Sequence, residues 1–192
     1  MLALAFVVAT VLSACGVPTD ASVRITDPTD VPFGLLSTVP PADASTTTTS
    51  AGRPMDTFGA YFVRNGQLSS IPAELEAPVD APAALRVLLA GPNAEFVRAG
   101  LRTALVGDRL IRSTSVTAGT ALVDLGDDFS ALAPREQLLG LGQIVLTLTT
   151  LRGIGTVDVL VQGKRTEVRV GDGSLRRGLV ARDDYVSLLE PS

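Results

Sequence analysis

The stretch "LGQIVLTLTTLRGIGTVDVLVQGK", residues 141–164, changes its hydrophobic period halfway along. In its first half the apolar residues recur at helical spacing. Leu138, Leu141, Val145 and Leu148 make one stripe, and Leu139 and Leu146 add apolar surface elsewhere. A helix that is apolar on most sides is a central one. The pattern predicts it over residues 134–151, opening at Pro134 with Glu136 favourably placed in the first turn. Gly140 and Gly142 each lower its propensity by about 1 kcal/mol relative to Ala, so a neighbouring backbone is expected to approach closely there. Beyond "RGIGT" (152–156) the period becomes two. Val157, Val159 and Val161 share one face of a strand, and Val168 and Val170 alternate in the same way after "QGK".

Two more hairpins stand upstream. "FGAYFV" and "QLSSI" are joined through Asn65-Gly66, a pair that tolerates the positive φ of a tight turn. "LIRSTSV" and "ALVDL" are joined through "TAGT" around Gly119. Between the first two hairpins lies a shorter helix. Pro82 suits its first turn, Leu85, Leu88 and Leu89 follow at i, i+3, i+4 spacing, and Gly91-Pro92 stops it. "RDDYVSLLE" (182–190) is read as a short final helix. Three hairpins with helices between them define an α+β fold, an antiparallel sheet built from hairpins with two main helices packed on it.

This pattern occupies residues 57–192. Residues 15–56 show no sustained periodicity, are interrupted by Pro throughout, and include the low-complexity "STTTTSAG" (45–52). Such a segment buries too little apolar surface to offset its ordering entropy and reads as a flexible linker. Its apolar island "VPFGLL" (31–36) either docks on the domain or a partner, or forms a transient cluster.

Residues 1–14 are almost wholly apolar. As a helix, residues 2–14 reach about 20 Å, short of a bilayer core of roughly 30 Å but the right size for a secretory leader. "LSAC" (12–15) resembles the lipobox of bacterial lipoproteins. The resemblance implies a diacylglycerol thioether on Cys15 and cleavage between Ala14 and Cys15, with the mature protein anchored outside the cytoplasm. It departs from the usual signal in that only the Met1 amino group is positive. The competing reading, a buried Cys ending a core helix, fits the N-terminal position and the following Gly-Val-Pro less well.

The formal net charge of −4 makes no electrostatic case for nucleic acid. All but one of the sixteen basic residues are Arg, the exception being Lys164; there is no His, and Cys15 is the single Cys. The missing His removes the commonest general base and a frequent zinc ligand.

"YFVRNGQLSSIPAEL", "ALRVLLAGPNAEFVRAGLRTAL", "ALVDLGDDF" and the opening stretch, taken in order, resemble the GerMN domain of sporulation and spore germination. With the lipobox and the Pro/Thr-rich linker, the layout is similar to lipoproteins of GC-rich Gram-positive bacteria. The resemblance implies a compact α+β interaction module outside the cytoplasm, with no established catalytic residues. The expected partners are an envelope protein, a sensor ectodomain or a wall polymer, beside the membrane reached through lipid on Cys15.

Other chemistry finds less support in the residues. Asp124, Asp127 and Asp128 could hold a hard cation or divide acid and base roles, but Asp and Gly after a strand more often build a turn. "GDGS" (171–174) reads as a turn rather than an anion nest, and Gly-x-Gly in "RGIGT" follows a helix, the wrong order for a dinucleotide site. No His activates a Ser or Thr nucleophile, and Lys164 falls in a hairpin turn. No catalytic, metal or cofactor residue is therefore assigned. A pocket lined by Tyr61, Phe62 and Phe96 would favour a small-ligand or glycan-binding module instead. Paired carboxylates in a cleft would favour a divergent hydrolase.

Overall fold

The first hairpin closes as its sequence dictates. Strands β1 (Met55–Arg64) and β2 (Gln67–Glu76) pair antiparallel, and Asn65 and Gly66 between them have φ of +51° and +79°. The computed structural model describes residues 53–191. Ala14, Cys15 and residues 31–36 lie outside the described residues.

Two other tight turns repeat this chemistry. β3 (Ile111–Thr117) and β4 (Thr120–Leu125) join through Ala118 and Gly119, at φ of +47° and +81°. β5 (Thr156–Val161) and β6 (Lys164–Arg165) join through Gln162 and Gly163, at +51° and +75°. All three pairs turn left-handed in succession, the geometry that matches strand twist.

Helix α1 (Ala81–Ala90) begins where Asp80 accepts the Ala83 N–H at 2.7 Å, with Pro82 in its first turn. Two five-residue helices are too short to show a hydrophobic period in the sequence, α2 (Ala94–Arg98), capped by Asn93, and α3 (Asp127–Ala131). The central helix α4 (Pro134–Leu148) is buried without a break over residues 138–148. It stops three residues before the expected end. There the Thr149 and Thr150 hydroxyls donate to the carbonyls of Val145 and Thr147, at 2.8 and 2.7 Å, beside the backbone N–H bonds that those carbonyls also accept.

The α+β class holds, with two departures inside the sheets. β4 and β5 run parallel, because α3 and α4 form the crossover between them and cover the face carrying Ala121, Val123, Val157 and Val159. The third hairpin is also shorter than its alternation suggests. β7 (Glu167–Arg169) leaves the edge of β5 and pairs with β8 (Leu175–Arg177) in a separate ribbon. The vacated edge is taken by β9 (Leu179–Ala181), which brings Val180 fully buried beside Val157. The final helical segment, Arg182–Leu188, is 3₁₀ and plants Tyr185 in the core.

Gly140 and Gly142 are explained by close packing, though of side chains rather than the expected backbone. A Cβ on Gly140 would lie 2.9 Å from Leu105, and one on Gly142 would lie 2.6 Å from Leu68 and 3.2 Å from Leu188.

Among the described residues, no complete strand pairs with the second edge of β1. Val63 exchanges backbone bonds with Arg102 at 2.8 and 2.9 Å. The next outward-facing residues are served by α4 side chains and the turn that follows it. Tyr61 N–H donates to the Thr147 hydroxyl at 3.0 Å, the Gln143 amide donates to the Tyr61 carbonyl at 2.8 Å, and the Thr150 hydroxyl donates to the Gly59 carbonyl at 3.3 Å. Gln143 also accepts the Ala104 N–H at 2.7 Å. Gln143 and Thr147 are wholly buried, so each bond answers a polar group that has no water.

Candidate functional site

The acidic trio is brought to one end of the sheet, at the carboxyl ends of the parallel strands β4 and β5. Each carboxylate there is engaged by a loop. Asp124 Oδ1 accepts the Gly163 N–H at 2.7 Å, and Arg112 stands 3.5 Å from its Oδ2. Asp127 accepts the Gln162 side-chain amide at 2.5 Å. Asp128 Oδ2 accepts the N–H groups of Asp108 and Arg109, at 3.1 and 2.8 Å. The three Asp residues therefore bind two turns to the start of α3. Among the described residues no group of three or more metal-ligating side chains is gathered to hold an ion.

Beside these turns lies an open cleft of about 640 Å³, lined by Asp108, Arg109, Ile111, Arg112, Asp127 and Lys164. Its wall mixes three cations with two carboxylates, and Lys164 is exposed at its rim. No serine lines it.

A smaller cavity, of about 370 Å³, is a groove of different character. The α3–α4 junction supplies Phe129, Leu138 and Leu141 to one wall, and the β7–β8 ribbon supplies Val168 and Leu175 to the other. Gln137 and Arg169 stand on its rim. Helix α4 contributes Leu138 and Leu141, which lie on a different side of the helix from Gln143 and Thr147, the residues that bond β1. The ribbon contributes because Val168 points inward while Leu175 remains exposed.

The aromatic residues singled out for a pocket are not gathered into one. Tyr61 and Phe62 are buried core residues of β1, and Phe96 packs against the core from α2. The Tyr61 hydroxyl instead accepts a bond from Arg182 at 2.8 Å, with that guanidinium 5.4 Å from the ring centre. "GDGS" closes the β7–β8 ribbon as a turn. The Ser174 N–H donates to Asp172 at 2.8 Å, and this turn, with the Ser174 hydroxyl contributing most, holds the Asp172 carboxyl below its usual range. "RGIGT" is the helix stop, with Gly153 at φ +79° leading into β5.

Sequence reasoning overlooked Gln143, Thr147 and Asp158. The available signal was a polar residue inside an otherwise apolar run, in "LGQIVLTL" and "TVDVLV". Asp158 is buried in β5, pairs with Arg165 at 3.1 Å through Nε, and its Oδ1 has no hydrogen-bond partner among the described residues.

These elements define an α+β module whose acidic trio organises its own loops and whose surface includes a charged cleft and an apolar groove. The family model described as "Germane: Sporulation and spore germination" matches residues 60–167, and the chain belongs to that family. Solved structures share the fold. The tandem GerMN domains of the sporulation protein GerM from Bacillus subtilis align at TM-score 0.53 and 20% identity, over 76% of this chain and 51% of that one. The first GerMN domain of the same protein aligns at TM-score 0.52 and 22% identity, over 67% of this chain and 98% of that one. The chain thus spans about half the length of the tandem-domain structure and nearly all of the single domain. No curated protein matches it.

Proposed function

We propose that this chain is a lipoprotein held outside the cytoplasm by lipid on Cys15, and that its sporulation and germination domain is a non-catalytic module that binds another protein of the cell envelope. The observation that carries the binding reading is the groove between the α3–α4 junction and the β7–β8 ribbon. Its apolar walls of Phe129, Leu138, Leu141, Val168 and Leu175 and its polar rim have the anatomy of a protein-recognition site. The non-catalytic reading is supported by the engagement of Asp124, Asp127 and Asp128 with loop donors and by the absence of His from the sequence. Anchoring is supported by "LSAC" after an apolar run of leader length. Confinement near a membrane raises the effective concentration of other membrane residents, so weak contacts suffice.

Two measurements test this reading. A photo-crosslinking residue at Gln137 in intact cells should capture a discrete envelope protein, and Leu175→Asp should reduce that product. Capture of abundant unrelated proteins alone, insensitive to Leu175→Asp, would count against the groove. Cys15→Ser should abolish labelling by a fatty-acid probe and release the protein to the medium; labelling that persists would mean the anchor was misassigned.

A further inference from the structure

Strand β3 is the outer strand of the five-stranded sheet and, among the described residues, pairs with β4 on one side only. The pair that flanks a two-residue turn is hydrogen-bonded, here Thr117 with Thr120, and alternation then directs the backbone of Ser115 and Ser113 toward β4 as well. The N–H and C=O groups of Thr114 and Val116 therefore point outward, and no group among the described residues bonds them. The other long edges are guarded. β2 carries Pro72, Glu74 and Glu76 at outward positions and is met by Glu190 at Leu68. β1 is served by Arg102 and by side chains of α4. β6, β7, β8 and β9 have only two or three residues each, and the first three of these strands carry Lys or Arg. From Ser113 to Thr117, β3 has neither a charge nor a proline, and the irregularity between Ile111 and Ser113 lies before this stretch. Ser113, Ser115, Val116 and Thr117 are all exposed, Val116 at 45%. A free edge of this kind is a template for another strand.

The strand is complementary to itself. An antiparallel pair centred on Ser115 sets Thr114 of each copy opposite Val116 of the other, the two residues exchanging both backbone bonds, and Ser113 opposite Thr117. Hydroxyl and β-branched pairs of this sort are favourable neighbours across strands. The strand's single charge, Arg112, lies at one end, so antiparallel pairing holds the two guanidinium groups at opposite ends of the contact. Each Arg112 also stands 3.5 Å from its own Asp124. No like charges are therefore brought face to face, whereas a parallel pairing would set the two Arg112 residues side by side.

We propose that β3 pairs with β3 of a second copy about a two-fold axis at Ser115, joining two five-stranded sheets into one. The contact is shorter than the standard interface of about 800 Å² per partner, so the dimer is weak in dilute solution and gains wherever copies are held close together. It rests on backbone geometry and not on the function proposed above. The test uses the full chain with Cys15→Ser and one new cysteine, equilibrated in a glutathione redox buffer. In this register the two Ser115 Cα atoms are about 4.5 Å apart, inside the roughly 4.4–6.8 Å that a disulfide spans. Ser115→Cys should therefore form a disulfide-linked dimer, whereas Val97→Cys, exposed on α2, should stay monomeric. Ser113→Cys and Thr117→Cys should each dimerise poorly alone and readily when mixed, because only the mixed pair stands face to face. Val116→Pro removes an outward N–H that β4 does not use, so it should cut the Ser115→Cys dimer several-fold while leaving the circular dichroism spectrum intact. Equal crosslinking at 97 and 115 would overturn the proposal, as would a dimer that survives Val116→Pro in full, or mixing of 113 and 117 that adds nothing. Should Val116→Pro fail to fold, the mixing experiment decides by itself. A Ser115→Cys chain that stays monomeric, with or without a disulfide to another protein in intact cells, gives the edge to a different occupant or to none and likewise overturns the proposal.

Discussion

Gln143→Leu tests whether α4 side chains satisfy the backbone of β1's second edge. Gln143 is wholly buried, its amide oxygen accepting the Ala104 N–H at 2.7 Å and its amide nitrogen donating to the Tyr61 carbonyl at 2.8 Å. Leucine fills nearly the same volume, so the cavity contribution is small. What the substitution leaves is two backbone groups with no water and no partner. Each unsatisfied group costs about 1–3 kcal/mol, giving a loss of roughly 2–6 kcal/mol with a central value near 4. For a domain of roughly 140 residues, unfolding entropy near 2.1 cal/mol/K per residue converts 4 kcal/mol into a Tm drop of about 14 °C. Urea denaturation of the purified protein, with its slope unchanged from wild type, is the assay. Thr147→Val removes the acceptor for Tyr61 N–H and should cost about 1–3 kcal/mol by itself. The two losses should not simply add, because both act on the backbone of one residue. A Gln143→Leu protein within about 0.5 kcal/mol of wild type, the scatter of ordinary surface changes, would refute the reasoning.

Gly142→Ala should destabilise by about 1–3 kcal/mol in the same assay although alanine is the better helix former, since the new Cβ meets Leu68 at 2.6 Å; a gain in stability would show that the packing yields. Pro72→Thr restores an N–H on the outward edge of β2, in line with Leu68, whose carbonyl already bonds the Glu190 N–H at 3.0 Å. Light scattering should then show greater self-association, and an unchanged monomer fraction would mean the proline does not guard the edge. Glu190 is held below its ordinary 4.5, first by its hydrogen bond from Arg64 and then by that residue's charge. A depressed carboxyl adds stability that is complete above 4.5 and is lost as pH falls through the folded value. Protection of the Glu190 amide, read by NMR exchange, should therefore decline only below about pH 4.5. Glu190→Gln should remove that dependence, and an identical acid decline in the variant would disprove the link.

Residues close in sequence settled what is local. Gly66, Gly119 and Gly163 mark their turns because each sits at positive φ, which glycine adopts freely, and Asn65 tolerates it as well. Asp80 and Pro82 start α1 for similarly local reasons, and the crowded apolar positions of residues 138–148 already mark α4 as the central element. "LSAC" after its apolar run is likewise a reading of contiguous residues alone.

Choices among competing partners were decided only by the tertiary structure. Val168 and Val180 are each plausible neighbours for β5 by pattern, and only packing shows that β9 takes that edge while β7 departs to wall the groove. The parallel pairing of β4 and β5 depends on where α4 lays its stripe, roughly thirty residues of chain acting together. The same holds for the carboxylates: alternation places Asp158 and Asp124 on a strand, but whether they face water, a metal or an arginine depends on side chains from β3 and β6. Which groups a strand presents is legible in the sequence, because the strand's period is covalent geometry. What those groups meet is a long-range matter, since burial and hydrogen bonding belong to the assembled core rather than to any one segment.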